Sequence, residues 1–72
     1  MKNEELLKLG QKIRFERTKR NLSQDDLEEL SGVSRRTISD LERGITDIRY
    51  TNLLQLANAL KLELHKLLDF KL

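Results

Sequence analysis

Leu6, Leu9 and Ile13, with the stem of Arg17 continuing the same line, recur every three or four residues among charged positions. That spacing puts an apolar stripe along one side of an α-helix and predicts a first helix from about Asn3 to Lys19. Arg20-Asn21-Leu22 breaks it. Ser23 follows as an N-cap with Asp26 three positions on, the pattern in which hydroxyl and carboxylate satisfy each other's backbone amides. The second helix is short, about Gln24 to Leu30, and Gly32 ends it. Ser34 is the next N-cap, opening a helix to about Arg43 that Gly44 closes. On this third helix Ile38 and Leu41 share a face with Glu42 at its edge. Arg36, Ser39, Asp40 and Arg43 point away from that face, and Arg35 flanks the first turn. A fourth helix, about Tyr50 to Leu60, carries Leu53, Leu56, Ala57 and Leu60. A last segment begins near Glu63 and offers Leu64, Leu67, Leu68 and Phe70.

Composition supports the helical reading. Proline is absent, glycine is sparse, and sixteen leucines supply the apolar positions, so the expected class is all-α. Seventy-two residues make one domain, near the lower limit for a core without staples. There is no cysteine, and His65 stands alone, so neither disulfides nor a metal is expected to hold the fold, and no cofactor is implied. The same poverty of nucleophiles, acid–base pairs and phosphate loops argues against an enzyme. The polar start MKNEELLKLG is no signal peptide, and no apolar run approaches the ~20 residues of a membrane span. A cytoplasmic protein is expected, with no membrane partner.

The net charge of +2 says little, but its distribution says more. Lys12 to Arg20 holds five basic residues and one acid, Glu16, whereas Asp25 to Glu29 holds four acids and no base. Arg35, Arg36, Arg43 and Arg49 follow. Such sorting leaves the chain free to present one basic and one acidic face. Two short helices joined at Gly32 form a helix-turn-helix pattern, in which a second helix with a polar outer face is held for insertion into a groove about 12 Å wide. Val33, Ile38 and Leu41 would anchor that helix from behind. An arginine there suits guanine, because its fork meets O6 and N7 together. Arg36 and Asp40 stand at i,i+4, which favours an ion pair between them; a cytosine contact by Asp40 is the alternative.

The stretch LSQDDLEELSGVSRRTISDLERG resembles the lambda-repressor and Cro-type (Xre-like) helix-turn-helix family. LLQLANALKLELHKLL resembles that family's fourth and fifth helices, and KIRFERTKRN the end of its first. The likeness runs over nearly the whole chain. It implies a five-helix domain over residues 1–72, with the helix-turn-helix at about 23–43, and small relatives among phage repressors and restriction–modification controller proteins. By motif position, Arg35 and Arg36 match the first reading residues, and Thr37, Ser39 and Asp40 further groove-facing positions, with Ser34 opening the same helix. Gln24 matches a glutamine that touches phosphate and buttresses the start of the reading helix. Arg43, Thr46 and Arg49 fall where the loop meets the DNA backbone. Arg17 and Glu42 match a structural pair joining the first helix to the end of the third. Glu28 departs from the family's usual alanine and must bend outward, find a basic partner or loosen the packing. Glu16 stands where an apolar residue is usual, with Phe15 and Leu7 off the main face. Arg49 replaces a serine or threonine cap.

The resemblance implies a sequence-specific regulator that binds a double-stranded operator as a homodimer and blocks or assists RNA polymerase, associated with the nucleoid through its DNA. Tyr50, Leu54, Leu68 and Phe70 exceed what one core face needs, so the segment from about 50 to 70 is expected to pair with a twin. An antitoxin-like interaction module with secondary DNA binding is the other reading.

Overall fold

A computed structural model describes residues 4–69. Those residues form α1 (Glu4–Lys19), α2 (Gln24–Ser31), α3 (Arg35–Glu42), α4 (Tyr50–Ala59) and α5 (Leu64–Leu67), with no strand among them. The expected first residue of α1, Asn3, and the expected interface residue Phe70 lie outside the described residues.

The capping box that opens α2 is complete. Asp26 N–H donates to Ser23 Oγ and Ser23 N–H to the Asp26 carboxylate, each at 2.9 Å. The two amide and hydroxyl hydrogen bonds from Ser23 hold the Asp26 carboxyl below its ordinary pKa, the backbone one most strongly. Gly32 ends the helix at φ 78°, a left-handed conformation that glycine takes without a Cβ penalty. In the same turn Ser31 is buried, and its hydroxyl accepts from Val33 N–H at 3.0 Å, so the tight corner leaves that amide satisfied.

The fully buried side chains Ile13, Leu27, Ile38, Leu41, Leu56, Leu60 and Leu67 come from all five helices and the cap of α4. Each is worth roughly 1.5–3 kcal/mol of apolar burial, the main source of stability in a chain without covalent staples. Leu9, Val33, Leu53 and Ala57 complete this core, and Leu64 packs against it. Around it α1 packs on α3 and α5, α2 on α3 and α4, and α4 on α5. The α1–α3 approach rests on Gly10, where a Cβ would run into the Leu41 carbonyl and come 3.0 Å from Glu42 Cα. A glycine inside a helix, costly by ~0.5–1 kcal/mol relative to alanine, is thus explained by backbone contact rather than by a break in the helix.

One acid on α1, Glu16, stands where the family usually has an apolar residue. Glu16 is buried, held by Lys12 at 3.0 Å and Arg20 at 2.6 Å. Phe15 beside it stays 58 % exposed, with the ammonium groups of Lys12 and Lys19 each 5.9 Å from its ring centre. Leu7 is half-buried against Gly44.

Candidate nucleic-acid interface

The exposed side of α3 is fixed from behind and from both ends. Ile38 and Leu41 are sealed in the core, as the helical wheel requires. At the N-terminus Ser34 Oγ accepts from Thr37 N–H at 3.1 Å and donates to Thr37 Oγ1 at 2.8 Å. Glu28 supplies a second cap. Its carboxylate bends outward and accepts from Arg35 N–H at 3.1 Å. The partner of this unusual acid is thus a backbone amide rather than a basic side chain, and it favours the positive end of the α3 dipole.

At the C-terminal end Glu42 takes Arg17 in a two-pronged pair, Nε to Oε2 at 2.7 Å and Nη2 to Oε1 at 2.9 Å, while Arg17 Nη1 reaches the Leu22 carbonyl at 2.7 Å. The pair is nearly buried, and the Glu42 hydrogen bond pushes the Arg17 pKa further up. The expected structural link between the first and third helices is present. Gln24 joins it, its amide donating to Glu42 Oε1 at 3.1 Å. Gln24 therefore meets the end of α3 and not its start, through the carboxylate already turned toward Arg17.

Between these anchors Arg35, Arg36, Ser39, Asp40 and Arg43 line an open depression of about 320 Å³. The i,i+4 spacing gives a long Arg36–Asp40 pair, and the closer partner of Asp40 is Arg43. Asp40 Oδ1 sits 2.7 Å from Arg43 Nη2, whereas Arg36 Nε is 4.0 Å from Oδ2 and its side chain is 92 % exposed. Arg43, at i,i+3, thus holds the carboxylate more closely than Arg36 does at i,i+4. Arg35 lies 3.5 Å from Asp25 of α2, with both side chains exposed.

The loop after α3 carries the other expected contacts. Thr46 Oγ1 makes only a long hydrogen bond to the Asp47 carbonyl, 3.3 Å, and Asp47 itself accepts from Ile48 N–H at 2.8 Å. Arg49 occupies the N-cap of α4 without a side-chain cap bond, and no ion-pair partner faces it among the described residues. Of the expected self-association residues, Tyr50 is 65 % and Leu68 42 % exposed, and Leu54 is half-buried. Ile45 and Leu30, which the apolar pattern did not single out, are exposed as well. Among the described residues no group of His, Asp and Glu is placed to hold a metal ion, and no helix is long and apolar enough to cross a membrane.

Two helices set across a glycine turn, the second offering arginines outward and locked inward, define a helix-turn-helix protein. The helix-turn-helix family model matches residues 13–67. The chain belongs to that family, in its lambda-repressor and Cro-type branch of DNA-binding regulators. Among solved structures it is similar to the restriction–modification controller protein C.AhdI from Aeromonas hydrophila, at 40% identity and TM-score 0.87, over 90% of this chain and 98% of that one. The P22 c2 repressor in complex with a synthetic operator matches at 38% identity and TM-score 0.77, over 85% of this chain and 92% of that one. SinR, the master regulator for biofilm formation, in complex with DNA, matches at 31% identity and TM-score 0.79, over 85% and 98%. No curated protein sequence matches the chain.

Proposed function

We propose that this protein is a sequence-specific transcription regulator that reads an operator in double-stranded DNA through α3 and acts as a homodimer in the cytoplasm. The observation that carries the reading is Arg36. It stands on a helix locked on its opposite face, 92 % exposed and paired with Asp40 only at 4.0 Å, so its fork is accessible to a guanine edge. Arg35 and Arg43 flank it, Ser39 and Thr37 add hydroxyls, and Arg49 suits a phosphate. Relatives solved with an operator or with DNA support the same reading. Tyr50 and Leu68 support pairing with a second copy, which would read two half-sites one helical turn, or a multiple of it, apart. Bound protein would then block or assist RNA polymerase by occupancy.

Selection from a random duplex pool at ~150 mM salt tests this directly. The expected outcome is an enriched inverted repeat, with Arg36→Ala weakening binding and relaxing one base position by about 1–3 kcal/mol. A folded protein that enriches nothing would exclude the reading and turn attention to a protein partner.

A further inference from the structure

Carboxylates are interleaved with the arginines of the reading surface, and none of them is needed by the core. Asp40 lies on α3 itself, 2.7 Å from Arg43 and 4.0 Å from Arg36. Asp25 reaches from α2 to within 3.5 Å of Arg35. Glu28, also on α2, occupies the Arg35 amide at 3.1 Å, a donor at a helix N-terminus that would otherwise suit a phosphate oxygen. Asp40 thus lines the depression with Arg35, Arg36 and Arg43, while Asp25 and Glu28 meet Arg35 from α2, at its side chain and its amide.

We infer that Asp40 and Glu28, with Asp25 as a weaker third, are specificity-determining residues that act by competing with phosphate for the reading surface. The inference rests on α3 being the DNA-reading helix. Any duplex offers phosphates, and cations that neutralise them release counterions irrespective of base sequence. Here Arg43 must first give up Asp40, and the α3 N-terminus already holds a carboxylate. A backbone laid across the surface out of register meets like charge at Asp40 and Glu28. A correctly seated groove instead offers base edges to Arg36, which is 92 % exposed and paired only at 4.0 Å, and a new acceptor to Arg43. The acids therefore penalise the sequence-independent mode more than the selected one, which is how a small protein with few base contacts separates the two.

Because the pairs are exposed, each one weakens sequence-independent binding only modestly, by roughly two- to five-fold. Asp40→Asn and Glu28→Gln test this, since each removes a charge while keeping an acceptor oxygen for Arg43 or for the Arg35 amide. Affinities for a random-sequence duplex and for the duplex enriched by selection would be measured against salt concentration for the full chain and both variants, with thermal melting to verify folding. Each variant is expected to bind the random duplex about two- to five-fold more tightly, with a steeper salt dependence, the slope growing by up to ~0.9 for one added phosphate contact. The ratio of selected to random affinity falls accordingly. Unchanged random-duplex binding in folded variants overturns the inference. So does a loss confined to the selected duplex in Asp40→Asn, which would make Asp40 a base reader. Either result leaves the DNA-reading proposal standing, whereas a wild-type protein that binds neither duplex removes both.

Discussion

Glu42 binds three side-chain donors from two other helices, two from Arg17 and one from Gln24, so the end of α3 is set by one carboxylate. Removing it alone strands a nearly buried guanidinium. Glu42→Ala is expected to cost about 3 kcal/mol in urea denaturation, whereas Arg17→Met combined with Glu42→Leu, which removes both charges, should recover most of that loss. Glu16 makes a second charged contact, and here the expected effect is a pH dependence. The Arg20 hydrogen bond, aided by Lys12 and opposed by burial, holds its carboxyl below the ordinary glutamate pKa. A depressed folded-state pKa contributes stability that is complete above the unfolded value and is lost as pH falls through the folded one. Urea midpoints followed from neutral to acidic pH should therefore drop below the ordinary carboxylate range. Glu16→Gln should lower the neutral plateau and flatten that acid limb; an unchanged limb would assign the acid loss to other carboxylates.

At the scale of elements, helix starts obey local chemistry and helix ends do so less visibly. Ser23 and Ser34 cap as their spacing predicts. Three helices end in one motif, with a 6→1 and a 5→2 backbone bond around a left-handed residue, but that residue is Gly44 after α3, Asn21 after α1 and Lys61 after α4. Only the glycine announces itself; Lys61 adopts φ 57° because Leu62 must turn back onto the core. Gly10 is the reverse case, a glycine demanded by a neighbour distant in sequence. Gly10→Ala gains helix propensity yet forces a Cβ against the Leu41 carbonyl, which the backbone can relieve only by parting α1 from α3. The overpacking cost of about 1–3 kcal/mol should prevail and lower Tm by at least about 4 °C. A Tm equal to or above that of the wild type would mean that the two helices can separate without loss.

A domain of this size buries only about 60% of its unfolded surface, so exposed apolar side chains bear on the whole molecule. If Tyr50 and Leu68 belong to a self-association surface, sedimentation should show a dimer that dissociates on dilution, and Leu68→Asp should give a monomer. A chain that remains monomeric at all concentrations, free and on operator DNA, would require independent reading of half-sites. The exposed Phe15 and Leu30 lie on α1 and α2 rather than at the C-terminal helices, so Leu68→Asp leaves them as controls.

Sequence alone determined the helical class, the order of the helices, the helix-turn-helix and the buried faces, because each depends on spacing within one turn or on a cap within three residues. It also identified Arg17 with Glu42, through the family resemblance rather than through any local rule. Tertiary structure decided the rest. It gave Asp40 a closer partner in Arg43 than in Arg36, turned Gln24 toward the far end of α3, sent Glu28 across the turn to an amide seven residues away, and required Gly10 where α1 meets α3. These choices depend on which groups packing brings within about 3 Å. Residues separated by a turn or by another helix have no fixed distance until the core is formed.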